Sequence, residues 1–267
     1  MQLPGFPPKR SFDELAERLR RAYDHGAVGP LRDGLDPLDA DGAYTIQAIN
    51  NRFWQKQGRK IVGHKAGLTA KAVQVQLGVD QPDFGVLFDD MRVVDGGRLD
   101  PARTIQPKAE AEIAFVLGAD LPEAATTVEQ VAAAITSVHA AIEIVDSRIE
   151  DWNISFADTV ADNGSSAFFV LADEGLPLAG LDLENAAMAM TINGMTVSTG
   201  VGAAALGNPL NAAAWLARTL AGRGEPLKAG DILLGGALGP MAPLMSGDHV
   251  RATVSGIGAC GFTYGGN

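Results

Sequence analysis

A single cysteine, Cys260, stands in 267 residues. One thiol forms no internal disulfide and builds no thiolate zinc cage. The chain is accordingly read as a protein of the reducing cytoplasm. Basic residues are also scarce, with 21 Lys and Arg against 32 Asp and Glu, a net charge of −11. That deficit excludes a basic nucleic-acid face and a polybasic membrane anchor. No run approaches 18 uninterrupted apolar residues, so no membrane-spanning helix is expected. Met1 to Arg10 holds Pro4, Pro7 and Pro8-Lys9-Arg10 with no apolar stretch behind them, and does not read as a signal peptide. The four histidines, His25, His64, His139 and His249, lack metal-ligand spacing. No serine sits in a nucleophile elbow, and no glycine cluster leads a strand into a helix as a dinucleotide fingerprint requires.

The chain is 46% apolar and 20% charged, with 32 glycines and 14 prolines spread along it. A chain this long buries roughly 70–75% of its unfolded surface and needs no staple to fold. Ser11 and Glu14 form a capping box before a helix through Tyr23. Asp39 caps a second helix, with Ala43, Ile46, Ile49 and Phe53 as its buried stripe and Gly58 as its stop. Lys60 to Leu68 reads as a strand, and Thr69 caps a short helix ending at Gly78. Pro82-Asp83-Phe84-Gly85 reads as a turn. Thr127 and Gln130 open a helix expected to run to about His139, directly before a strand over 140–145. Asn193-Gly194 signals a hairpin, and Asn208-Pro209 starts a helix to Gly222. Strands then close the chain, as in a β-roll or sandwich.

Glu110-Ala111-Glu112 carries the most chemistry. Residues 109–117 alternate, with Ala111, Ile113, Phe115 and Leu117 on one face and Glu110, Glu112, Ala114 and Val116 on the other. Two carboxylates two residues apart share a face at about 6.5–7 Å between Cα atoms. They read either as a solvent-facing acidic face or as ligands of a hard divalent cation. Glu143 lies among Ala140, Ala141, Ile142, Ile144 and Val145. A carboxylate there must be paired, protonated or metal-bound, with Arg148 or Lys108 as candidate partners for an ion pair. Three such carboxylates would leave three positions on Mg²⁺ or Mn²⁺ for water or substrate. Lys65, between Gly63 and Gly67, reads either as a surface lysine or as a proton donor beside an anion. Asp83 reads as an Asx-turn former or a site acid. Ser165, after Asp162-Asn163-Gly164, could orient a substrate carboxylate or serve only the loop. Gly235 to Pro240 offers backbone N–H groups but no phosphate-loop lysine.

The residues Gly63-His64-Lys65-Ala66-Gly67-Leu68-Thr69, with Gln76-Leu77-Gly78-Val79-Asp80-Gln81-Pro82-Asp83-Phe84-Gly85 after them, carry a resemblance. So do Glu110 to Leu117, Ile142 to Ile149, Asp151-Trp152, Val160 to Ser165 and Gly236 to Met241. In this order the chain resembles the 2-keto-4-pentenoate hydratase family, in the hydratase/decarboxylase branch of the fumarylacetoacetate hydrolase superfamily. Two departures stand out: His64, where an arginine or tyrosine is commoner, and Gly164, where alanine is usual.

The resemblance implies an α+β fold, a mixed β-roll of the fumarylacetoacetase C-terminal-domain type with flanking helices. Residues 1–60 would form a helical N-terminal region and 61–267 the metal-dependent catalytic domain. Glu110, Glu112 and Glu143 would hold Mg²⁺ or Mn²⁺, and Lys65 and Asp83 would share proton transfers. Ser165, Leu77 and Leu238 would touch substrate, a small anionic 2-keto acid. The implied reaction adds water to 2-hydroxypenta-2,4-dienoate in the breakdown of aromatic compounds. The alternatives are a 4-oxalocrotonate decarboxylase, or a hydratase for a longer 2-oxo diacid, which must accommodate a second carboxylate. A C–C hydrolase lacks its histidine–glutamate dyad here, and a non-enzymatic partner subunit would leave the carboxylates without metal. The resemblance also implies a homo-oligomer, a pentamer or decamer, and association with neighbouring enzymes of the pathway.

Overall fold

The computed structural model describes residues 9–266. Two helices come first, α1 (Phe12–His25) and α2 (Ala40–Lys56). They are followed by β1 (Ile61–Gly67), α3 (Lys71–Leu77) and β2 (Asp83–Phe88). Two short strands, β3 (Arg92–Val93) and β4 (Arg98–Leu99), lead to β5 (Lys108–Leu117). Next come α4 (Val128–Ala134), β6 (Ile135–Val145), α5 (Phe156–Ala161) and β7 (Ser166–Leu171). The hairpin β8 (Ala187–Ile192) and β9 (Met195–Val201) precedes α6 (Pro209–Gly222). The chain closes with β10 (Ile232–Ala237), β11 (Ala242–Pro243), β12 (Asp248–Val254) and β13 (Gly258–Tyr264). Among the described residues no helix is long and apolar enough to cross a membrane.

The strands form two sheets. The larger runs β2-β1-β10-β5-β6-β7-β3, with β11 added beside β5, and the smaller runs β4-β13-β12-β8-β9. Most pairs are antiparallel, while β1–β10, β3–β7 and β13–β4 are parallel. This is the expected mixed α+β roll. The β5–β6 ladder runs from Lys108↔Val145 to Leu117↔Ile135 and forms the spine of the larger sheet. Ile113, Phe115 and Leu117 face the main core with Val250, Phe262 and Leu216. On the other face of β5, Ala114 packs with Val86, Phe88, Phe169 and Leu234. One end of that second face is thus closed by apolar packing, and the other end carries Lys108, Glu110 and Glu112.

Several local expectations hold for the expected reason. Ser11 and Glu14 exchange both bonds of the capping box. Asn193 and Gly194 both take positive φ, as a type I′ hairpin needs. Asn208 caps α6 by accepting from the Leu210 N–H, with Pro209 at the first position. Others are corrected. The helix after Thr127 stops at Ala134, because the next 11 residues pair with β5, so His139 lies in a strand. Ala70, not Thr69, occupies the N-cap of α3. Pro82 to Gly85 is not a free turn, since Asp83 opens β2 opposite Gly67. Phe53 is exposed on α2, edge-on to Trp54 and under Arg20, while Gln47 takes the buried position. The Gln47 side chain donates to the carbonyls of Phe84 at 3.0 Å and Val160 at 2.9 Å, which pins α2 to β2 and α5.

Candidate active site

The site begins with strand register. In the β5–β6 ladder Glu110 stands directly across from Glu143, and Glu112 across from Ala141. Like charges facing one another across a ladder destabilise it. Glu143 and Glu112 are also buried, 1% and 0% exposed, and Glu110 is partly so. One carboxylate oxygen from each of Glu110, Glu112 and Glu143 lies within 4.8 Å of the others. Glu112 Oε2 accepts the Gly236 N–H at 2.9 Å, while its Oε1 and both oxygens of Glu143 have no hydrogen-bond partner. Oxygen-only donors, crowded, buried and unsatisfied, fit a hard divalent cation. Burial, and then Glu143, push the Glu110 carboxyl up to about 7. The same two causes hold Glu112 well above the usual carboxylate range. A bound cation would reverse both shifts.

Lys65 approaches from β1. The residue is 4% exposed, not a surface lysine, and its Nζ lies 3.5 Å from Glu143 Oε1. Burial alone would lower the ammonium, but Glu143, then Asp83, Glu110 and Glu112, hold it above its ordinary value. Three glycines make the channel for this side chain. A Cβ on Gly164 would sit 2.5 Å from Lys65 Cε, and one on Gly85 at 3.3 Å from the same atom. A Cβ on Gly67 would meet Asp83 Oδ1 at 2.1 Å and Lys65 Nζ at 3.2 Å. Lys65 and Asp83 are therefore neighbours at one point of the β1–β2 ladder. Burial raises the Asp83 carboxyl against the pull of Lys65, and its Oδ1 has no hydrogen-bond partner.

These groups open on a cavity of about 330 Å³ lined by Lys65, Asp83, Glu110 and Ser165 among polar residues. Leu68, Val73, Ile154 and Met241 make much of its apolar wall. Ser165 Oγ lies 3.3 Å from Thr159 Oγ1 and 3.3 Å from Asp162 Oδ2. Leu68, Trp152 and Ser165 line this cavity with positive φ near 54°. Left-handed backbone at non-glycine residues costs energy and gathers at functional sites. Leu238 is not on the wall. It is fully buried behind it, with its N–H bonded to Ala111 O at 3.0 Å. Leu77 ends α3, and its side chain lies outside the described residues.

Arg148 is not at the site either. It is buried 2.6 Å from Asp162 and shapes the Ser165 turn from behind. His64 points to the opposite face of β1 from Lys65, and burial lowers it to about 4. Sequence reasoning weighed Lys108 only as a partner for Glu143, and missed Thr159 and Ile154 on the wall. The period of two on β5 was the available signal for Lys108, since 108, 110 and 112 share a face.

A mixed β-roll with a buried carboxylate triad beside a lysine defines a metal-dependent enzyme of the fumarylacetoacetate hydrolase type. Residues 50–263 match the fumarylacetoacetate hydrolase C-terminal family, and the chain belongs to it. Within the family, it is 52% identical over 249 residues to 2-keto-4-pentenoate hydratase 1 of Dechloromonas aromatica strain RCB, covering 93% of this chain and 95% of that one. It is 48% identical to the 2-keto-4-pentenoate hydratase of Paraburkholderia xenovorans strain LB400, over 92% of each chain. Its fold superposes on the 4-oxalocrotonate decarboxylase of Pseudomonas putida G7, a structure with magnesium and adipate, with a TM-score of 0.90 and 35% identity. That match covers 95% of this chain and 97% of the other.

Proposed function

We propose that this protein hydrates 2-hydroxypenta-2,4-dienoate to 4-hydroxy-2-oxopentanoate, with Mg²⁺ or Mn²⁺ held by Glu110, Glu112 and Glu143. The carboxylate triad, with three buried oxygens of Glu112 and Glu143 lacking hydrogen-bond partners beside Lys65 and Asp83 at a small cavity, carries the reading. Relatives of 48–52% identity named as hydratases support it. The cation would supply positive charge to an enolic 2-oxo acid, favouring the enolate over the neutral ketone.

The chain's own residues supply the rest. The substrate must first gain a proton at C5, giving the 2-oxo-3-enoate. Water then adds at C4, and C3 is reprotonated. Lys65, an ammonium held charged by Glu143, donates protons. Asp83, a buried carboxyl raised by its surroundings, takes them back. Ser165 offers a hydroxyl to the substrate carboxylate, and the apolar wall shields the reacting carbons from bulk water. The test is the ultraviolet loss of the dienol with Mg²⁺ present, run beside 2-oxo-3-hexenedioate. Turnover of the dienoate supports the hydratase; CO₂ release from the hexenedioate alone would make the protein a decarboxylase.

The same reading takes the protein as a cytoplasmic homo-oligomer, a pentamer or decamer. β9 is an edge strand that turns Met195, Val197 and Val201 outward, an apolar row suited to a second copy. Sedimentation of the purified chain tests it, with a monomer as the refuting result.

A further inference from the structure

Four carboxylates gather at the site, Asp83 and Glu110 on the cavity wall and Glu112 and Glu143 buried beside Glu110, and the proposed substrate is an anion. Lys65 and a divalent cation together leave one negative charge uncompensated. Among the described residues lining the cavity, Lys108 is the one other basic side chain. Counting it brings the formal charge to zero, so that a carboxylate enters a neutral site rather than an acidic one.

Its position fits that task. Lys108, Glu110 and Glu112 follow one another along one face of β5, about 6.5–7 Å apart at Cα. Glu112 is buried behind the wall, whereas Glu110 and Lys108 are partly exposed on it, so the row runs outward from the carboxylate cluster toward solvent. Lys65 is taken by Glu143. The Lys108 ammonium makes no ion pair or hydrogen bond among the described residues. It rests 4.1 Å from the centroid of the Trp152 ring. That ring is fixed in turn: the indole N–H donates to Gln106 O at 3.1 Å, and Trp152 has φ of 55°. An aromatic face holds a cation without neutralising it, so the ammonium stays available to an anion.

We propose that Lys108, seated on Trp152, captures the substrate carboxylate at the mouth and orients the acid end toward Glu110. The apolar end of the substrate then lies against the Leu68–Val73 side of the cavity. The assignment deepens the proposed hydratase reading and rests on it for the substrate class.

Its test uses the full chain loaded with Mg²⁺ and an unreactive probe, 2-oxopentanoate, titrated by calorimetry. Lys108→Met is expected to weaken the probe about tenfold, the loss of one charge-assisted contact. Lys108→Arg restores most of the affinity. In turnover the loss appears in KM more than in kcat, and the salt dependence of kcat/KM flattens. Mg²⁺ affinity and Tm stay at the wild-type values. Unchanged probe affinity in Lys108→Met overturns the assignment. So does a loss confined to 2-oxoadipate, which would place Lys108 at the distal end, or a parallel fall in Tm and Mg²⁺ binding, which would make its role structural. Wild-type protein that binds 2-oxopentanoate but leaves the dienoate untouched would defeat the hydratase reading while leaving Lys108 its role.

Discussion

The carboxylate at position 143, 1% exposed between Ile142 and Ile144, has Lys65 at 3.5 Å and no hydrogen bond to either oxygen. A lone ammonium at that distance does not offset the burial of three neighbouring carboxylates. Mg²⁺ titration by calorimetry should therefore give a clear binding isotherm. Glu110→Gln, Glu112→Gln and Glu143→Gln should each weaken it by a factor of about 10 or more, roughly 1.4 kcal/mol. Lys65→Met should keep Mg²⁺ binding and lose turnover, which would separate the proposed proton donor from the proposed metal ligands. His64, on the other face of β1, supports a prediction about pH. Burial holds it near 4 in the folded chain, against an ordinary value of 6.5. Between those two values the unfolded chain takes up a proton that the folded chain refuses. Stability is thus full above pH 6.5 and falls as pH drops toward 4, by on the order of 3 kcal/mol. The difference in slope between wild type and His64→Gln in denaturant titrations across that range should isolate this contribution from the opposing slope of the raised Glu110 and Glu112 carboxyls.

At the scale of elements, the β1–β2 ladder depends on a residue with no side chain. Asp83 Oδ1 occupies the space a Cβ on Gly67 would need. Gly67→Ala should leave the sheet intact, displace Asp83 and Lys65 by about 1 Å, and lower kcat about 100-fold. Steady-state kinetics beside a thermal melt would check this, and a normal kcat would mean that Asp83 is not placed for catalysis. Much of this architecture was legible in the sequence. The alternation from 109 to 117 marked β5, and the same period set Glu110 and Glu112 together. The caps at Ser11 and Asn208 and the Asn193-Gly194 turn are local signals, written in residues three or fewer apart. What stayed hidden depends on pairing between distant residues. Ile135 to His139 continues the pattern of α4 but is claimed by the long β5 partner. Asp83 looks like turn chemistry until Gly67 stands opposite it. Glu143 could be marked as needing a partner, but not as needing Lys65, which comes from a strand 78 positions earlier across β10 and β5.

For the whole molecule, the N-terminal helices decide whether the roll can stand alone. Leu15, Leu19, Leu31 and Ile46 are each 2% exposed or less and belong to the same continuous core as Phe156, Val160 and Ile142. Each contributes about 1.5–3 kcal/mol by burial. Polar contacts cross the same boundary. Gln47 serves the Phe84 and Val160 carbonyls, and the Leu31 N–H donates to the buried Asp158 at 2.8 Å. A buried group that loses its partner costs about 1–3 kcal/mol more. The sum is comparable to the whole stability of a typical domain, about 5–15 kcal/mol. The surface uncovered on β2 and α5 also backs directly onto Asp83 and Ser165. A chain beginning at residue 59 should therefore lose its cooperative thermal transition and its Mg²⁺ isotherm together, although all three carboxylates, Lys65 and Asp83 remain in it. A truncated chain that melts cooperatively and binds Mg²⁺ as tightly as the full chain would show that the helical region is a separate unit. Its contacts with α5 and β2 would then contribute little to holding the site.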